Sequence, residues 1–134
     1  MTKTICALSV MLAAIIAAPA QAQSADDIQH YFDILWDESV PRVDACEANG
    51  RMSAICGIAS DRLVCTANAI YVGLEQSGLR DEFPRQISGL NRLLSEKAAY
   101  FNRLIANGHM QNPADMEAFE MRNFCRGINA PLVP

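Results

Sequence analysis

Four cysteines, two histidines and three adjacent carboxylate pairs are the residues with chemistry to offer once residues 1–22 are set aside. The cysteines are Cys46, Cys56, Cys65 and Cys125, spaced 10, 9 and 60 residues apart. The absence of a C-x-x-C unit argues against a thioredoxin-type redox site, and the absence of C-x-x-C-H against covalent haem. An even number of cysteines in an exported chain reads instead as two disulfides. That assignment consumes the candidate thiol nucleophiles.

His30 and His109 fall on separate helical regions, and neither belongs to an H-x-x-x-H or H-E-x-x-H unit. Surface or helix-end histidines are the simpler reading. His109 and Met110, with Met116 and Met121, form a soft ligand set of the kind copper takes. The set follows no ligand-spacing rule, and methionines ordinarily fill gaps in cores. The carboxylate pairs are Asp26/Asp27, Asp37/Glu38 and Asp81/Glu82. Neighbours on a helix point in different directions, so none of these pairs makes an acid/base site by itself. Asp33 and Asp37 share a face near His30, which a solvated surface explains. No serine sits in a G-x-S-x-G context and no glycine-rich phosphate loop is present. No catalytic or metal-binding residue is assigned, no cofactor is expected, and an enzyme would need a site assembled only by the fold. Trp36, the single tryptophan, precedes Asp37 and Glu38. It reads first as a partly buried core anchor and second as a hot spot for a basic partner.

The compartment follows from the N-terminus. Lys3 is a positive n-region, Ile5 to Ala18 is an apolar run, and Pro19 precedes Ala20-Gln21-Ala22, with small residues where a signal peptidase needs them. The run is short for a bilayer core of about 30 Å. Residues 1–22 are therefore expected to be a signal peptide, in preference to a buried first helix, and Cys6 is discarded with it. Residues 23–134 are expected to form a single helical domain with an irregular tail over 128–134. No later run is long and apolar enough to insert in a membrane, so a soluble mature protein is expected: periplasmic in a Gram-negative bacterium, otherwise secreted.

Composition narrows the partners. The chain is 51% hydrophobic, as a packed core requires, with 11 basic and 15 acidic residues and a net charge of −4. Losing Lys3 makes it one unit more negative. With no basic run, it lacks the footprint of nucleic-acid binding or of attraction to anionic membranes. An acidic surface favours a basic protein partner.

Hydrophobic periodicity is helical throughout. Asp26 and Asp27 start a first helix carrying Ile28, Tyr31, Phe32 and Leu35. Pro41 interrupts or restarts it, and a short segment with Val43 and Cys46 stops at Asn49-Gly50. Residues 50–59 read as a connection with one helical turn. Ser60 caps a helix with Leu63, Ala67, Ile70, Tyr71 and Leu74, closed by Gly78. Asp81 caps the longest helix, with Phe83, Ile87, Leu90, Leu94, Phe101, Leu104 and Ile105 inward, a weak point at Gly89, and a stop at Asn107-Gly108. Asn112 caps a last helix with Pro113 in first position and Gly127 at its end. The expected fold is all-α: a small antiparallel bundle of four main helices plus a short extra one, with two disulfides.

Three pairings of four cysteines exist. With the bend at 50–59, Cys46 and Cys65 face each other and Cys56 is left for Cys125. Each bridge contributes about 2–4 kcal/mol, against a total of about 5–15 for a small domain. The function expected is a small exported envelope protein that binds another protein, as an inhibitor, immunity protein or accessory factor. The alternatives are a periplasmic chaperone or stress protein, and then a small-ligand or metal carrier.

Overall fold

The structure, a computed structural model, describes residues 24–128; the expected signal peptide and residues 129–134 of the expected tail lie outside the described residues. Among the described residues every regular element is helical. Helix α1 spans Ala25–Ile34. It starts about half a turn earlier than Asp26/Asp27 suggested, because Ser24 is the cap. The Ser24 hydroxyl accepts from the Asp27 N–H (3.2 Å), and the Asp27 carboxylate accepts from the Ser24 N–H (3.0 Å). This reciprocal box satisfies two of the donors a helix start leaves open.

The chain does not stop at Pro41. A π turn, Leu35–Ser39, carries α1 directly into α2, Val40–Ala48, with Pro41 in the first turn of α2. A mid-helix proline lacks a donor and collides with the carbonyl four residues back. A wider turn just before it relieves both problems. The stop at Asn49-Gly50 is as expected: Gly50 has φ +60°, and the N–H groups of Gly50 and Arg51 return to the carbonyls of Glu47 and Cys46.

Helix α3, Ala54–Ser77, begins six residues before Ser60. Its cap is Ser53, whose hydroxyl accepts from the Cys56 N–H (3.3 Å). Residues 54–59 of the expected connection are therefore the start of this helix. Ser60 is fully buried inside it. Helix α4 spans Pro84–Ala106. Asp81 does not cap it; Arg80–Glu82 is a separate 3-10 turn, and Pro84 takes the first helical position. Asn112 does act as a cap, accepting from the Ala114 N–H (3.1 Å), but only for the 3-10 turn Pro113–Asp115. Met116 and Glu117 are extended, and α5 starts afresh as Ala118–Gly127. Pro113 thus opens one turn and no more.

The helices pack as a bundle with α3 at its centre, touched by α1, the π turn, α2, α4 and α5. The main core joins Ile28, Phe32, Leu35, Leu63, Ile70 and Leu104 to their neighbours. Phe32 and Phe83 stack with ring centres 5.9 Å apart. Two polar ties bind α4 to the α2 end. The Tyr100 hydroxyl donates to the Arg51 carbonyl (2.8 Å), and Lys97 pairs with Asp44 (2.5 Å) and Glu47 (3.2 Å). Burial lowers the affinity of Lys97 for its proton, but the two carboxylates outweigh it and raise its pKa above the usual lysine value. A smaller cluster, Cys65, Met121 and Cys125, holds α5 against α3.

The disulfides are Cys46–Cys56 and Cys65–Cys125, with Cα separations of 5.7 and 5.4 Å. The expected pairing of Cys46 with Cys65 and Cys56 with Cys125 is wrong. The cause is the early start of α3. Cys56 lies in its first turn, beside the end of α2, whereas Cys65 is nine residues further along, about 13 Å at the helical rise. With Cys46 only 5.7 Å from Cys56, Cys65 stays beyond the roughly 7 Å limit for bridging to Cys46.

Two glycines test this packing. A Cβ on Gly57 would sit 1.8 Å from the His109 carbonyl oxygen, so α3 and the 107–112 connection touch through bare backbone. A Cβ on Gly89 would meet only Trp36, at an ordinary 3.7 Å, and α4 runs through this position without a break. Gly57→Ala should lower stability by about 1–3 kcal/mol through overpacking. Gly89→Ala should raise it by about 0.5–1 kcal/mol. Urea unfolding of both variants reads the two opposite signs.

The pairing makes a second prediction. A non-reduced tryptic digest should link peptide 43–51 to 52–62, and 63–80 to 123–126. On loop length, losing the long bridge (Cys65→Ala with Cys125→Ala) costs about 4 kcal/mol and losing the short one about 3 kcal/mol. Equal unfolding midpoints for the two double variants would contradict this order.

Candidate interaction site

The structure disperses the residues that suggested chemistry. His30 is exposed on α1, its ring 6.3 Å from Tyr31, and His109 lies in the connection after α4. Met110 belongs to the main core and Met121 to the smaller one, so the soft ligand set is not assembled. Asp26 and Asp27 occupy the first turn of α1, where Asp27 is held below the usual carboxylate pKa by the hydrogen bonds from Ser24. Asp37 and Glu38 are exposed on the π turn, Asp81 and Glu82 on the 3-10 turn. Asp33 accepts from the Gln29 side chain (2.9 Å). Among the described residues no three His, Cys, Asp or Glu side chains gather into a group able to hold a metal ion. Trp36 is 42% exposed, not a core residue. It lies across Gly89 at the mouth of a depression of about 240 Å³ whose charges, from Asp44, Arg92, Glu96 and Lys97, are mixed in sign.

The more telling features lie on the first half of α3, which periodicity had left as a connection. Ile55 is 78% exposed and Ile58 45% exposed. With Ala59 and Arg62 they recur at spacings of three, one and three, which is one face of a helix. Across from them stand Arg42, Ala45 and Cys46 of α2, and the two helices enclose an open groove of about 340 Å³. The Cys46–Cys56 bridge fixes the two walls beside it. Single exposed aliphatics are ordinary, but two on one stripe beside a formed groove make an exposed apolar patch. The signal for this face was present in Ser53 and the repeat that follows it. Gly57 and the apparent cap at Ser60 obscured it. A second apolar groove, of about 320 Å³, lies between Tyr71, Leu94, Met116 and Met121, where α3, α4 and the 113–121 segment meet.

Behind the stripe the same two turns carry buried polarity. The Ser60 hydroxyl has no hydrogen-bond partner among the described residues. Asp61 is 7% exposed and accepts from the Gln111 N–H (3.3 Å). Burial raises its pKa from the ordinary 3.8 to about 6, only partly opposed by that hydrogen bond. The comparisons add no relative: no protein-family model, curated protein or solved structure matches this chain.

Asp61 gives a pH signature with a definite sign. Its folded pKa lies above its unfolded value, so the fold favours the neutral acid. Its contribution is full below pH 3.8 and is lost as pH rises through about 6. The loss is on the order of 2 kcal/mol. Asp61→Asn should remove this downward slope between pH 4 and 6, measured as urea midpoints across the range. An unchanged slope would show that Asp61 titrates as an ordinary surface acid.

Proposed function

We propose that this chain is an exported protein of the cell envelope that works by binding another protein, as an inhibitor, immunity or accessory factor. The observation that carries the reading is the solvent-facing Ile55–Ile58 stripe beside the α2–α3 groove. Its cost to a free monomer is exposed apolar area, which a partner would cover at about 25 cal/mol per Å². Disulfides fit an oxidising compartment, in keeping with the leader expected at 1–22. Among the described residues no helix is long and apolar enough to cross a membrane.

A chaperone that opens under acid stress is a poorer fit. Both disulfides tie α3 to its neighbours, which opposes a large opening. Tagged full-length chain should capture one stoichiometric partner from a native envelope extract. Ile55→Asp with Ile58→Asp should weaken that capture at least tenfold, while leaving both bridges and the unfolding midpoint in place. Capture that is indifferent to this pair, or no partner at all, overturns the reading.

A further inference from the structure

We infer that the α2–α3 groove recognises a segment of a partner protein that combines aliphatic side chains with flanking carboxylates. The inference rests on the reading of this groove as a protein-binding face and adds the chemistry of what it takes.

Charge is the deciding observation. The groove is lined by Arg42 from one wall and Arg62 from the other, with no carboxylate in its lining. Neither arginine forms an ion pair among the described residues, although Glu38 stands only four residues before Arg42. Arg62 spends its Nε–H on the Ile128 carbonyl (3.2 Å), a neutral acceptor, so its charge is not cancelled.

The neighbouring acids are committed elsewhere. Asp44 and Glu47 of α2 turn away from Arg42 to hold Lys97 of α4. In α3 the carboxylates are Asp61 and Glu75. Asp61 is buried against Gln111 on the inner side, and Glu75 lies 17 residues beyond Ile58, about 25 Å away along the helix. The segments outside the described residues, 1–23 and 129–134, contain no Asp or Glu. A chain with net charge −4 therefore presents a cationic rim around an aliphatic floor at this groove.

Arginine forks favour carboxylates in paired, planar contacts. A groove of about 340 Å³ is near the small end of the range for binding sites, and suits one or two aliphatic side chains. An anchor on Ile55 and Ile58, with an acid toward each arginine, satisfies both features together.

The test uses the full chain and synthetic peptides of one aliphatic sequence flanked by Glu, Gln or Lys, followed by NMR and calorimetry. The Glu peptide should shift the methyl signals of Ile55 and Ile58 and the Nε–H signals of Arg42 and Arg62. It should bind at least tenfold tighter than the Gln and Lys forms, and the advantage should shrink with added salt. Arg42→Gln should remove most of it; Arg42 donates to no described residue, so this change leaves the fold intact.

Equal binding of the three peptides, no shift with any, or shifts mapping to another face overturns the inference. So do methyl shifts produced by phosphatidylglycerol vesicles but not by the Glu peptide. The same holds for shifts that follow protein concentration alone, which identify a second copy as the occupant, or for shifts on deleting residues 129–134, which identify the chain's own tail. Extract capture separates the two levels. Loss with the Ile55/Ile58 pair but not with Arg42→Gln leaves the binding face standing and removes the charge rule.

Discussion

Helix α3 has to be buried along most of its circumference, and the other elements are arranged to meet that demand. Its inward residues, Leu63, Ala67, Ile70 and Leu74, face the main core, while Cys65 faces α5. A helix enclosed on several sides needs small residues where neighbours approach closely. Gly57 serves this under the His109 carbonyl, and Ala67 and Ala69 are nearly inaccessible too. Enclosure also traps polar groups. Thr66 returns its hydroxyl to the Arg62 carbonyl (2.8 Å), Asp61 takes one backbone N–H, and the Ser60 hydroxyl takes none. Both disulfides end on this helix, at Cys56 and Cys65, so the covalent network and the packing network share one spine.

The candidate site is what this arrangement leaves over. Helix α2 is nine residues long and covers only part of the start of α3. Its two carboxylates are drawn to Lys97, which pulls the polar side of α2 toward α4 and leaves Arg42 and Ala45 on the other side. The Cys46–Cys56 bridge ties the two walls together beside Ile55 and Ile58. A groove whose walls are tied covalently would need little reorganisation to bind a partner.

How much of this was legible in the sequence depended on how local each signal was. The all-helical character, the Asn49-Gly50 and Asn107-Gly108 stops, the end at Gly78 and the inner stripe of α3 are set within one or two turns of chain, and they read correctly. The disulfide pairing was not local. It depended on where α3 starts, and Ser53 and Ser60 are equally good caps by residue type. Choosing Ser60 moved Cys56 into a loop and misassigned both bridges. Asn112 misled in the same way, since its side chain caps a single 3-10 turn as well as it caps a helix. The π turn before Pro41 has no residue signature; it arises because packing on both sides of the proline keeps the path helical. Asp61 carries no local signal of burial, because nothing in its neighbours announces that the 107–112 connection lies over it.

The charge of the groove shows why composition is a weak guide to a partner. The overall excess of acids favours a basic molecule, while the lining of the groove favours an acidic one. These statements act at different ranges. At physiological salt the Debye length is about 8 Å, so an exposed site responds mainly to charges within a few side chains of it. Carboxylates on α1 and on the 3-10 turn before α4 affect how fast a partner approaches, whereas Arg42 and Arg62 act on what fits once it has arrived. An acidic segment would therefore approach against a weak screened repulsion and dock against a short-range attraction that added salt weakens. That combination would disfavour most of the surface of this protein for such a segment and favour the α2–α3 groove.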